Sequence, residues 1–129
     1  MNIHPTLYLI FALAFSMPAF AQEKNASGAR IYNEVCAVCH SAGVANAPKT
    51  GDQNAWKKLI GEGQVIITAH GYVGVRAMPP RGGKEGLSVE QFAEALNYMV
   101  NKSGGRWLSP DKAMLVEINK EIANRKKTQ

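Results

Sequence analysis

The sequence predicts an all-α fold, in which short helices share a core that they are too small to build from side chains alone. Three observations predict it. A helix start is written in full at Ser88-Val89-Glu90-Gln91, with Leu87 before it and Phe92 behind it for the flanking apolar contact. Apolar residues then recur at helical spacing, as in Phe92, Leu96, Met99 and Val100. The third observation is Cys36-Ala37-Val38-Cys39-His40, a chemical anchor that no strand pattern flanks.

Two cysteines three positions apart, with a histidine directly after the second, form the signature of covalent c-type haem attachment. Each thiol adds to one vinyl group of the porphyrin, and one helical turn lets Cys36 and Cys39 reach opposite corners of a single edge. His40 then lies under the ring and offers a nitrogen to the iron. A redox disulfide of the thioredoxin type needs a βαβ context, which is lacking here. A zinc site needs further ligands, yet these are the only cysteines, and the only other histidines are His4 and His70. One covalently bound haem c is therefore the expected cofactor.

The 129 residues make one domain with appendages. Residues 1–21 carry no charged side chain, and their apolar run at 7–15 is too short to span a bilayer. Ala19-Phe20-Ala21 supplies a signal-peptidase site, placing cleavage before Gln22 and the protein in the periplasm. The leader lacks the usual Lys or Arg at its start, and a retained anchor is the alternative that this leaves. Export agrees with haem attachment, which occurs after the chain crosses the membrane. A monohaem domain is expected over 22–103 and a basic amphipathic extension over 104–129.

The net charge of +5 is uneven. Residues 22–101 hold eight basic and seven acidic side chains, a balance of +1; residues 102–129 hold seven and three, a balance of +4. The basic character thus belongs to the tail. No basic cluster interleaved with aromatics points to nucleic acid. The core at 26–100 is small enough to need a staple, which a covalently held porphyrin plate supplies.

Taken in order, Ser27 reads as the N-cap of a first helix running through Ile31, Tyr32 and Val35 to the cysteines. Gly28, Tyr32 and Cys36 share one face, and Gly28 marks either a close helix approach or a frayed end. Residues 41–51, with Pro48, read as a loop able to supply a carbonyl to the second N–H of the ligating imidazole. Asp52 caps a short helix through Trp56 and Leu59, ending near 61–63; another runs roughly from Gln64 to His70, closed by Gly71. Trp56 reads as a packing residue whose indole N–H is a candidate donor to a haem propionate.

Residues 71–83 have neither helical nor strand period, and Pro79 and Pro80 stiffen the chain directly after Met78. That is how a thioether is held rigidly over a metal, so Met78 is the expected second axial ligand. Met1 and Met17 leave with the leader, Met99 lies on the apolar stripe, Met114 lies in the tail, and His70 ends its helix. The helix from Ser88 ends before Gly104, with Ala95 and Tyr98 placed to meet Gly28 and Tyr32. Ser109, Pro110 and Asp111 read as N-cap, N1 and N2 of a last helix. Its stripe is Leu115, Ile118 and Ile122, with Met114 beside it, and its end is basic: Arg125, Lys126, Lys127.

These stretches resemble class I bacterial cytochromes c, within them the small periplasmic subgroup usually numbered five. The likeness rests on Gly28-x3-Tyr32-x3-CAVCH, GVANAPKTGD at 43–52, Ala55-Trp56, the glycines at 61, 63 and 71, AMPPRGG at 77–83 and LNYMV at 96–100. It implies the class I cytochrome c fold around one haem, with His40 and Met78 on the iron and the Pro48 carbonyl accepting from His40. It also implies a soluble carrier between redox partner proteins. The chain beyond Asn101 falls outside the likeness.

Three functions compete. With both axial positions filled, one-electron transfer between Fe(II) and Fe(III) in a respiratory chain is the first, by a monomer that is no enzyme. A haem subunit docked to a larger periplasmic oxidoreductase, attached by its tail helix, is the second. A peroxidase is the third, and it needs an open iron site and distal acid–base groups; only Arg76 and Arg81 lie near Met78. The apolar stripe of the tail either folds back on the haem domain, docks a partner or touches a membrane surface.

Overall fold

A run of good helix formers without proline, from Ala19 to Lys24, carries the first helix far upstream of Ser27. In the computed structural model, which describes residues 19–128, α1 (Ala19–Ile31) is already under way at Ala19. Ser27 is therefore an interior residue and not the cap, because nothing before it breaks the helix. Residues 1–18, most of the expected leader, lie outside the described residues. The described residues are helices and turns, with one isolated bridge between Val75 and Met78. None of their helices is long and apolar enough to cross a membrane.

α1 passes through a π-helical turn (Tyr32–Cys36) into the single turn α2 (Ala37–His40). α3 (Gln53–Glu62) opens on Asp52, whose carboxylate accepts from the backbone N–H groups of Asn54 and Ala55 at 3.0 and 3.1 Å. α4 (Gln64–Val73) runs past His70 and through Gly71, stopping at Gly74. The expected stop at Gly71 is thus three residues early. Gly71 serves packing instead: a Cβ there would lie 2.7 Å from Phe92 Cζ. Gly74, at φ 98°, holds the conformation that ends the helix.

α5 (Val89–Lys102) begins with the complete capping box of Ser88 and Gln91. α6 (Lys112–Lys126) is capped by Asp111, which accepts from Met114 N at 2.8 Å. Ser109 is not its cap, because its hydroxyl is drawn to Glu94 Oε2 at 2.9 Å.

α1 and α5 cross at Gly28, where an added Cβ would overlap the carbonyl of Glu94. Tyr32 and Tyr98 meet beside that crossing with centroids 5.1 Å apart. Gly28 is thus the point of close approach and not a frayed end. Gly28→Ala should lower stability by about 1–3 kcal/mol, read as a fall in melting temperature. An isolated helix would gain roughly 1 kcal/mol from alanine, but a backbone carbonyl cannot swing aside as a side-chain tip can.

The main core joins α1, α3, α4 and α5 through Ile31, Trp56, Ile67, Phe92, Leu96 and Val100. A second, smaller core lies on the other face of α4, where Ala69 and Val73 meet Ile118 and Ile122 of α6, all at most 6 % exposed. The apolar stripe of the tail is therefore folded back. The link into it is strapped down by amides. The Leu108 carbonyl accepts from Asn97 Nδ2 and Gln64 Nε2, each at 2.8 Å, and Asn101 bonds both backbone groups of Trp107.

His70 faces this second interface. Burial and the nearby Arg125 hold its pKa below 6.5, against the opposing pull of Glu62 and Glu121. Because its folded pKa is depressed, the unfolded chain takes up the proton more readily as pH falls through 6.5. Stability should therefore decline as pH drops below that value. In His70→Gln, melting temperatures measured across this range should decline less steeply.

Candidate functional site

The site grows out of the π turn. Its wider ring, closed by Ala37 N–H to the Tyr32 carbonyl, offsets the helix just where Cys36 and Cys39 follow. Cys36 is buried and Cys39 half-buried, and both are free thiols. Burial pushes the Cys36 thiol up to about 11, so it is held protonated. Among the described residues no three His, Cys, Asp or Glu side chains converge as a metal cluster.

His40, 7 % exposed, closes the turn. Its Nδ1 donates to the Pro48 carbonyl at 2.9 Å. A carbonyl can only accept, so Nδ1 carries the proton and Nε2 keeps its lone pair. The loop is tied back by Thr50 N–H to the His40 carbonyl at 2.8 Å. Trp56 packs behind the imidazole, with centroids 6.2 Å apart, and is 2 % exposed. Its indole N–H donates to the Lys49 carbonyl at 2.9 Å, so it fixes the loop, and the candidate propionate donor is already engaged.

Met78 comes from the opposite loop. Val75 and Met78 exchange two backbone hydrogen bonds, 3.1 and 2.9 Å, around a tight turn with Arg76 at φ 53°. Pro79 then extends and Pro80 starts a 3₁₀ turn (Pro80–Gly83). The Met78 side chain packs against the main core, the cluster that contains Cys36 and Trp56, as Tyr72 also does. Its Cε lies 3.6 Å from where a Gly71 Cβ would stand. On the far side of this loop the same test at Gly82 meets Val35 Cγ1 at 3.1 Å, one residue before Cys36. The fold thus brings the methionine loop and the CxxCH turn to one apolar cluster. His70 is turned the other way, toward the acids and Arg125 around α6.

A sequence model of the family described as "Cytochrome C oxidase, cbb3-type, subunit III" matches residues 23–99. The chain belongs to this cytochrome c family. Cytochrome c-555 of Chlorobaculum thiosulfatiphilum is 39 % identical over 82 residues, covering 60 % of this chain and 95 % of that one. Cytochrome c5 of Ectopseudomonas mendocina is 38 % identical over 78 residues, covering 56 % and 90 %. Among solved structures, one described as the electron transfer complex of nitrite reductase with cytochrome c matches with a TM-score of 0.58. It is 39 % identical and covers 60 % of this chain and 94 % of that one. The fold is the all-α class I cytochrome c fold, and α6 lies beyond the family match.

As a cytochrome c, the protein carries a covalently bound c-type haem and serves as a haem electron carrier. The residues present fit that group. Two free thiols and an imidazole with one committed nitrogen stand on the CxxCH turn, and the Met78 thioether packs against the apolar cluster that contains Cys36. In the loops bordering it, Thr50 Oγ1 and Arg81 Nε are buried without a partner among the described residues, as donors set aside for an anionic group would be.

Sequence reasoning missed Ser103, 1 % exposed, which accepts from Gly51 N–H at 2.9 Å and so ties the end of α5 to the His40 loop. Nothing marks it, since a serine after a helix is ordinary. Asn97 was legible in principle: it is a polar residue on an otherwise apolar helix face, buried because it holds the Leu108 carbonyl.

Proposed function

We propose that this cytochrome is an exported, monomeric one-electron carrier of a respiratory chain, with Cys36 and Cys39 as the haem thioethers and His40 and Met78 as the axial ligands. The observation that carries this reading is the Nδ1–Pro48 hydrogen bond, which commits one imidazole nitrogen and leaves the other for iron, while Met78 packs in the cluster that holds Cys36. When bound, the haem supplies an iron that changes charge by one without losing a ligand. The chain's own residues do the rest. The Pro48 carbonyl keeps the imidazole from turning. Trp56, Phe92 and Leu96 keep water from the ring. Thr50 Oγ1 and Arg81 Nε are the buried donors left for the propionate carboxylates.

The partners on this reading are a donor and an acceptor protein. Attachment to a larger oxidoreductase through the tail stripe is disfavoured, because Ile118 and Ile122 are spent on α4. What the tail offers outward is charge, at Lys112, Lys120, Lys126 and Lys127, with Val116 as an exposed apolar neighbour. A contact with an acidic partner or an anionic membrane surface would therefore be electrostatic and weakened by salt. Absorption spectra of the exported fraction, oxidised and reduced, with and without carbon monoxide, test the reading. A Met–iron band in the oxidised form and indifference of the reduced form to carbon monoxide are expected. Ready carbon monoxide binding by the native protein would point to an open iron site and an enzyme.

A further inference from the structure

The loop bearing Met78 is poorly anchored by itself. Its backbone bonds are local: Val75 with Met78, Gly74 N–H to the His70 carbonyl, Gly82 N–H to the Pro79 carbonyl. Val75, Arg76 and Ala77 are exposed. A segment with few buried contacts opens at low free energy, independently of global unfolding. What fixes it must come from its ends and its neighbours.

One end is the last turn of α4, and α6 is packed on that turn. Val73 precedes the Gly74 hinge and is buried, with Ala69 one turn back, against Ile118 and Ile122. Tyr72, beside Val73, touches both cores and donates its hydroxyl to the Leu87 carbonyl at 3.1 Å. A shift of α6 would thus be felt at the hinge. The neighbour is Arg125. It lines a cleft whose other wall is residues 73–80, the methionine loop itself. Its Nε is buried without a partner among the described residues, and Glu121 stands 4.0 Å from its Nη1. The guanidinium is therefore held half-buried by Glu121 of its own helix, facing the loop across this cleft. The amide strap on Trp107 and Leu108 holds the start of this arrangement in place.

We infer that α6 is a positioning element for the axial methionine, which holds the last α4 turn through Ile118 and Ile122 and flanks the Met78 loop with Arg125. The inference rests on Met78 as the second axial ligand. It gives a purpose to a helix that lies outside the family match.

The test uses the haem-loaded full chain with Ile122→Ala and, separately, Arg125→Ala. Two quantities are followed in mild denaturant: the Met–iron band against helical circular dichroism, and the rate at which the reduced protein binds carbon monoxide. In both variants the band should be lost ahead of the helical signal, and carbon monoxide binding should quicken roughly tenfold, as when about 1.4 kcal/mol is removed from an opening equilibrium. Gly28→Ala, which weakens the α1–α5 crossing away from this loop, should lower global stability without quickening the binding. Band and helix signal falling together, or binding rates within about twofold of the parent, would show α6 to be a general stabiliser and overturn the inference. Met78→Ala separates the two ideas. If the parent shows no Met–iron band and binds carbon monoxide as fast as Met78→Ala, the ligation reading has failed and the inference falls with it. If the parent behaves as Met-ligated and the α6 variants match it, only the inference fails.

Discussion

Met78→Ala should keep its covalent haem, lose the Met–iron band at the red end of the ferric spectrum, and bind carbon monoxide once reduced. On the proposed reading the ring is held by Cys36 and Cys39 of the CxxCH turn, on a different segment from Met78, so attachment does not depend on this side chain. Deleting a core-packed methionine side chain costs about 2–5 kcal/mol in its own right, so the melting temperature should fall as well. A thioether favours Fe(II), and its loss should lower the reduction potential. Met78→His would return a sixth ligand but leave the potential below that of the parent. No other methionine described here is placed to take over: Met99 is 3 % exposed inside α5, and Met114 packs at the α4–α6 interface. An unchanged ferric spectrum in Met78→Ala would exclude it as a ligand.

The larger effect belongs to Cys36→Ala combined with Cys39→Ala. This variant should accumulate several-fold less as folded protein, because small cores stay marginal without a staple and marginal proteins are degraded. The main core joins helices that are mostly 10–14 residues long, and the CxxCH segment itself is a π turn followed by a four-residue helix. Such short elements are not stable alone. Immunodetection in cell extracts and circular dichroism of the purified protein would measure this. A double variant that accumulated as a folded apoprotein at the parental level would show that side-chain packing suffices and that the haem is not the staple.

The elements most legible in the sequence were those with local, chemically specific signals. The capping box at Ser88, the Asp52 cap and the CxxCH motif each name their own geometry within a few residues. The close approach at Gly28 was one of the two readings that its register with Tyr32 and Cys36 left open. The errors arose where a local signal had a distant competitor. Ser27 is a good cap residue, but the chain before it was already helical. Ser109 is another, but Glu94 claims its hydroxyl from across the molecule. Gly71 looks like a stop, yet Phe92 needs the space over it, and the helix continues to Gly74. Trp56 packs as read, but its indole N–H, a candidate propionate donor, gives its bond to a carbonyl seven residues earlier in the chain. Side-chain partners of this kind have no periodicity, which is why spacing alone does not find them.

Ala69 and Val73 on α4 and Ile118 and Ile122 on α6 form a matched set. This has a bearing on transplanting parts between proteins of this family. Deleting the last helix would leave two greasy positions on the outside of α4, at the very turn that leads to the Met78 loop. Grafting it onto a shorter relative would fail unless the corresponding two α4 positions were made apolar, and unless amides stood where Gln64, Asn97 and Asn101 hold the connecting strap. The C-terminal helix is therefore not a detachable module: its length can be cut or copied only together with edits some fifty residues upstream in the chain.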